Sequence, residues 1–177
     1  PKEQTFLDEA AISSLDELVL YEWGNPGHPY ILLAYGWGYN AGRWRHLVPL
    51  LTEAGYRVIA FDPPGHGHAP AGTLSLPVNA QYMANIIAHY GKPSAIIGHS
   101  FGGSSTVLML KNLPQSLHPH RVVLMAAFSE AEGVFREYQR RLGFREGLYQ
   151  DFVRHTESVV GDDIADYDLA RISGDMN

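Results

Sequence analysis

The 177 residues suit one domain, and a composition 45% hydrophobic and 18% charged is that of a globular chain with a real core, which excludes disorder. A net charge of −6 with only 13 Lys plus Arg, scattered along the chain, excludes a dense basic face, so no nucleic-acid partner is expected. The absence of cysteine removes disulfide frameworks, thiolate nucleophiles and thiolate metal sites, and no run approaches the ~18 apolar residues of a membrane span.

The chain opens at Pro1 rather than Met, which points to a trimmed native start. It lacks the basic-then-apolar layout of a secretion signal, so a cytoplasmic location is the default expectation. Residues 1–17 carry Phe6, Leu7, Ile12 and Leu15 among mixed charges and predict at best a weak helix or an irregular lead-in. Leu18 to Trp23 reads as a strand, stopped by the turn-forming cluster Gly24-Asn25-Pro26-Gly27. Tyr30 to Ala34 is apolar without alternation, as a strand covered on both faces should be, and it breaks at Tyr35-Gly36-Trp37-Gly38. Trp44, Leu47, Val48 and Leu51 recur at helical spacing, predicting a helix over 43–54 that stops at Gly55.

Tyr56 to Phe61 is the next strand, followed by a loop, Asp62-Pro63-Pro64-Gly65-His66-Gly67-His68, and a helix over 78–90. Ser94 to Ile97 then reads as a buried strand running into Gly98-His99-Ser100-Phe101-Gly102, with a helix over 104–113 behind it. A serine between a strand and a helix in this pattern sits on a sharp, strained turn that lifts its hydroxyl off the sheet, and the flanking glycines let neighbouring elements pass. The same turn sets the Phe101 backbone N–H at a helix N-terminus, where a developing negative charge is favoured. Arg121 to Phe128 predicts one more buried strand.

Strands alternating with helices at short intervals mean α/β class: a mostly parallel sheet with helices on both faces, whose ligands bind beyond the C-terminal strand ends. The loops at Tyr35, Asp62 and Gly98 are therefore expected on one side. Beyond Ser129 the composition changes, with 17 charged residues in 49 against 15 in the first 128. Two segments follow: a sheet core over 1–128 and a helical cap over 129–177, with helices expected at 134–142, 146–160 and 163–172.

Three motifs in order, Tyr35-Gly36-Trp37-Gly38, Asp62-Pro63-Pro64-Gly65-His66-Gly67 and Gly98-His99-Ser100-Phe101-Gly102-Gly103, resemble the α/β-hydrolase superfamily on its esterase, lipase and peptidase-like side, over roughly residues 18–128. The resemblance implies Ser100 as nucleophile and an oxyanion hole from the backbone N–H groups of Trp37 and Phe101. It implies no cofactor and no metal. Tyr35 stands where the family usually has a His that braces the oxyanion loop. The family's sheet also continues for about two more strands, which carry the triad acid and His, whereas this chain stops at Asn177. The resemblance thus implies an α/β-hydrolase fold incomplete at its C-terminus plus a helical lid segment, and a sheet edge to be covered by a missing C-terminal piece or a partner chain.

Ser100 needs a base and the base an orienting carboxylate. His99 flanks it with a side chain expected to point into the fold, and with Tyr39 it is the candidate for substrate contact. His66 and His68 lie on the correct side, but the resemblance gives their loop a bracing role, and His66-Gly67-His68 lacks the spacing of a metal site. Glu130 and Glu132 are candidates for the acid, against the plainer reading that they begin a helix after Ser129. Asp62, next to Pro63 and Pro64, is expected to stabilise its own turn. Arg136, Arg140, Arg141 and Arg145 read as a solvated face. The expected activity is hydrolysis of an ester or related acyl bond of a small molecule through an acyl-Ser100 intermediate. The alternatives are a non-catalytic binding protein or inactive fragment of the same fold, and an acyltransferase or perhydrolase using the same serine.

Overall fold

The computed structural model describes residues 2–161 and 163–174, which fall into two compact units divided between Ala127 and Phe128. In the first unit a six-stranded sheet is built from β1 (Ala11–Leu15), β2 (Leu18–Trp23), β3 (Tyr30–Ala34), β4 (Arg57–Asp62), β5 (Ala95–His99) and β6 (Arg121–Met125). The spatial order is β1-β2-β4-β3-β5-β6, with β1 and β2 antiparallel and the last four strands parallel.

Period-2 alternation sorts the side chains of the central strands onto two layers. Tyr21, Trp23, Ile31, Leu33, Val58 and Ala60 pack on one face with Phe6 and Leu7 of α1 (Lys2–Leu7), Trp44 of a 3-10 turn (Ala41–Trp44), and Val48 of α2 (Val48–Glu53). The intervening residues Leu20, Leu32, Ile59, Phe61 and Ile96 are also buried, as are Met83, Ile86 and Ile87 of α3 (Leu76–Tyr90). That helix packs on α4 (Phe101–Asn112), which lies along β3 and β5. The continuous apolar runs at Tyr30–Ala34 and Val58–Phe61 are thus strands covered on both sides.

Three sequence expectations are corrected. The lead-in is ordered as α1 and as β1, which pairs antiparallel with β2 even though four of its five residues are exposed. The helix expected over 43–54 is two pieces, because Pro49 has no N–H to bond the carbonyl four residues back. The strand expected to be buried over 121–128 ends at Met125, and all five residues are exposed, with β6 standing last in the sheet order and paired to β5 alone.

The second unit holds α5 (Ala131–Leu142), α6 (Glu146–Val160), a 3-10 turn (Ile164–Tyr167) and α7 (Leu169–Gly174). Gly143 and Gly161 close α5 and α6 in left-handed caps. Glu130 stands at the N-cap of α5 with a backbone bridge to Asp168 and no capping side-chain bond, and Glu132 in the first turn pairs with Arg136. Arg140 and Arg141 pair with Glu137 on the solvated face. Among the described residues no helix is long and apolar enough to cross a membrane.

Candidate active site

The parallel strands β4, β3 and β5 end in Asp62, Ala34 and His99, so the segments that follow them open on one side of the sheet. Ser100 stands between β5 and α4 at φ 51, ψ −119, a conformation that costs a non-glycine residue roughly 1–3 kcal/mol. Two backbone bonds hold the turn: Ser100 N–H donates to the Met125 carbonyl at 2.8 Å, and Ser104 N–H to the Ser100 carbonyl at 3.0 Å. The helix therefore begins at Phe101, three residues earlier than its apolar pattern suggests.

Glycine is required around the turn by close approach. A Cβ on Gly98 would lie 2.6 Å from the Gly103 Cα, and one on Gly102 would lie 2.4 Å from the Ala34 carbonyl oxygen. Gly36 lies against the turn itself, since its Cβ would meet His99 Nδ1 at 3.0 Å and the Ser100 Cβ at 3.1 Å. The 35–38 segment thus runs directly beside the serine.

Trp37 and Phe101 touch edge to face, with ring centroids 5.3 Å apart, and Trp37 meets His66 in the same way at 5.0 Å. Tyr39 is exposed, stands edge-on to His99 at 6.5 Å, and carries the Arg43 guanidinium 4.1 Å above its ring. His99 is half-buried with Nδ1 unpartnered; desolvation, then the Arg43 charge, holds its imidazole below the usual histidine range and so neutral near pH 7.

Asp62 is the hub of the loops. Its carboxylate is fully buried and accepts four hydrogen bonds: from Tyr35 Oη (2.8 Å) and Ala41 N–H (2.8 Å) on Oδ1, and from Tyr21 Oη (2.9 Å) and His68 N–H (3.0 Å) on Oδ2. It stabilises its own turn through His68, and ties that turn to the 35–41 segment as well. Tyr35 so braces its loop through Asp62, and burial followed by the Asp62 charge pushes both the Tyr35 and Tyr21 hydroxyls well above the usual phenol range. A Cβ on Gly67 would fall 1.9 Å from Asp62 Oδ2, so the carboxylate occupies the space under that glycine.

Three histidines bond through one ring nitrogen each. His66 Nδ1 faces the Pro64 carbonyl at 3.3 Å, His68 Nδ1 faces Tyr21 Oη at 2.8 Å, and His118 Nε2 faces the Leu113 carbonyl at 2.9 Å. Among the described residues no group of three or more His, Asp or Glu side chains could hold a metal ion.

Between the loops lies a narrow slot of about 10 Å³, room for roughly one water molecule, whose walls include Tyr35, Trp37, Phe61, His66, Leu74 and Phe101. Asn79 of α3 also lines it. Its Nδ2 donates to Ser105 Oγ at 2.9 Å, and Ser105 Oγ donates to the Phe101 carbonyl at 2.9 Å. Sequence reasoning missed Asn79 and Tyr21. Asn79 was detectable as an amide in register with Met83 and Ile86 on the buried side of α3; Tyr21 sits in an apolar strand and gives no such signal.

A family model described as alpha/beta hydrolase fold matches residues 29–173. The chain is 32% identical over 117 residues to epoxide hydrolase A of Mycobacterium tuberculosis, covering 63% of this chain and 35% of that protein. It is 32% identical over 130 residues to a pimeloyl-[acyl-carrier protein] methyl ester esterase of Photobacterium profundum, covering 69% and 48%. The crystal structure of a monoacylglycerol lipase from Paleococcus ferrophilus superposes with a TM-score of 0.59 at 29% identity, covering 70% of this chain and 51% of the lipase. The chain spans between about a third and a half of the length of these relatives.

Proposed function

Because this chain belongs to the alpha/beta hydrolase fold family, we propose that it is part of a serine hydrolase that cleaves an ester or related acyl bond of a small molecule through an acyl-Ser100 intermediate. The observation that carries the reading is the backbone of Ser100, a non-glycine residue held at φ 51 between strand and helix. Such strain persists where the surroundings over-determine it, and here the surroundings are glycines packed too closely for any side chain.

Ser100 Oγ attacks the carbonyl carbon, its proton passing to a base. The carbonyl oxygen gains the charge and is received by the backbone N–H groups of Trp37 and Phe101, each such donor contributing roughly 3 kcal/mol. Collapse of the tetrahedral intermediate expels the alcohol, which takes the proton from the base, and water then hydrolyses the acyl-serine. Neutral His99, packed against Gly36, keeps the loop beside the serine in place, while Tyr39 lines the approach. The base and its acid are supplied from outside these 177 residues, a reading supported by the engagement of His66 Nδ1 with Pro64 and of His68 Nδ1 with Tyr21. Cleavage of a methyl ester and of a glycerol ester, the activities named for two of the relatives, follows the same route.

The test is labelling with a fluorophosphonate. The full-length protein is expected to react at one site, and Ser100→Ala to abolish the reaction. A folded full-length protein that does not label overturns the hydrolase reading in favour of a binding role, and products formed with an alcohol or peroxide acceptor in place of water move it to acyl transfer or perhydrolysis.

A further inference from the structure

The segments that follow β3, β4 and β5 around Ser100, residues 35–45, 62–75 and 99–101, carry two cations, Arg43 and Arg45, and one acid, Asp62. Asp62 is buried and its two oxygens already accept four hydrogen bonds, so these segments leave no carboxylate to pair with a cation. Arg43 is exposed, and none of its five side-chain N–H donors meets an acceptor among the described residues. Its guanidinium is held all the same, 4.1 Å over the Tyr39 ring, which stands edge-on to His99 at 6.5 Å. The backbone between the two residues is fixed too. Asn40 Oδ1 accepts from Gly42 N–H at 2.8 Å, the Asn40 carbonyl accepts from Arg43 N–H at 3.1 Å, and Ala41 N–H is spent on Asp62 at 2.8 Å. A cation without a counter-ion on these segments is thus stationed two ring contacts from the imidazole that precedes Ser100, and after desolvation its charge is the second cause that keeps that imidazole neutral.

We propose that Arg43 is a specificity-determining residue that receives an anionic group of the substrate, a carboxylate or phosphate carried at the end remote from the scissile bond. The proposal rests on the Ser100 hydrolase reading for the substrate being an acyl compound. Stacking on Tyr39 occupies one face of the guanidinium and leaves its N–H donors, which lie in the plane, unspent. That planar fork matches two oxygens of a carboxylate or phosphate at once. Holding it on a ring and a hydrogen-bonded turn also reduces the side-chain freedom that binding would otherwise cost. The net charge of −6 disfavours an anionic ligand over most of the surface, and Arg43 reverses the sign locally, beside the serine. Because the guanidinium is exposed, its attraction is open to screening by salt, which separates a charge effect from a packing effect.

The test compares esters matched in length that end in carboxylate, phosphate or uncharged carboxamide, with the end group on the acyl chain in one set and on the alcohol in the other. For the full-length protein at low ionic strength, kcat/KM is expected to favour an anionic member over the carboxamide by about tenfold in one set, mainly through KM. The set identifies the side of the scissile bond that reaches Arg43, and the preferred anion identifies carboxylate or phosphate as its source. The ratio is expected to shrink toward molar salt, where screening shortens to roughly 3 Å. In Arg43→Gln it is expected to fall to about one, and in Arg43→Lys, which keeps the charge without the fork, to lie between the two. Equal turnover within both sets, or a ratio that Arg43→Gln does not move, overturns the proposal and leaves Arg43 a solvated cation. If Ser100 does not label with fluorophosphonate and no ester is turned over, the hydrolase reading has failed on its own. The anion site is then read from the Arg43 Nε–H resonance, which moves on titration with the carboxylate- or phosphate-ended ester and not the carboxamide if the site exists, and moves with none of them if it does not.

Discussion

At Asp62 one buried carboxylate holds two loops and β2 together, because four donors from four different positions converge on its two oxygens. Replacing it with Asn keeps the volume but turns an NH2 group toward two of those donors. Asp62→Asn is expected to destabilise the protein by about 2–4 kcal/mol, read as a lowered urea midpoint, and to depress Ser100 labelling with it. Tyr35→Phe removes one donor only and is expected to cost about 1 kcal/mol. Phenols give a pH signature too. Tyr90 is pushed up to about 12 by burial and by its hydrogen bond to Glu22, and Tyr21 and Tyr35 are raised as well. A raised pKa means that the folded state keeps a proton the unfolded chain releases near pH 10. Stability is therefore present in full below about pH 10 and is lost as pH climbs toward 12. Urea midpoints measured from pH 9 to 12 are expected to fall, and to fall less for Tyr90→Phe. At this scale the sequence was informative where a residue is out of character with its neighbours. Ser100 among glycines and Asp62 before two prolines stand out, whereas the partners of Asp62 are unremarkable tyrosines until the fold brings them in.

Among the elements, the strand, turn and helix from Ala95 to Asn112 is decided by backbone clearance rather than by side-chain burial. A methyl group at Gly98 would press on the Gly103 Cα at 2.6 Å, and no flexible side chain is there to give way. Gly98→Ala is expected to cost roughly 1–3 kcal/mol as an overpacking change and to lower the thermal midpoint accordingly. Apolar patterning located β2, β3 and α3 to within a residue or two, because each buries one stripe or both faces. It failed at β1, whose exposed Ile12 and serines carry no alternation and which is held by its ladder to β2. It failed also at 43–54, where apolar spacing runs on through Pro49 although the hydrogen bonds cannot. In the second unit the α5–α6 junction is held by Arg136, which bonds Glu146 at 2.8 Å and lies 3.8 Å over the Tyr149 ring. Hydrogen bonds from Gln150, Gln139 and Arg136 hold the Glu146 carboxyl down at about 2. A depressed carboxyl contributes above its unfolded pKa and loses that contribution as pH falls through the folded one, so the junction is expected to loosen between about pH 4.5 and 2.

Over the whole molecule, the feature that the sequence pattern misjudged is also the one with the largest consequence. An apolar run such as Val122 to Met125 reads as buried, since periodicity reports what a strand is made for and not whether its cover is in place. In the structure those residues are 38–45% exposed, and among the described residues no strand pairs with the outer edge of β6. Natural edges are blunted by charge, proline or bulges, and β6 has only Arg121, at its first position. The same strand supplies Met125, whose carbonyl accepts from Ser100 N–H, so disturbance at this edge reaches the Ser100 turn within one hydrogen bond. The 177-residue chain on its own is expected to self-associate at micromolar to millimolar concentration through β6. Val123→Lys, which puts a charge on the exposed face without touching the ladder, is expected to shift the population to monomer. Light scattering after size-exclusion chromatography reads both, and a monodisperse monomer from the unsubstituted chain would mean that the edge is protected from within.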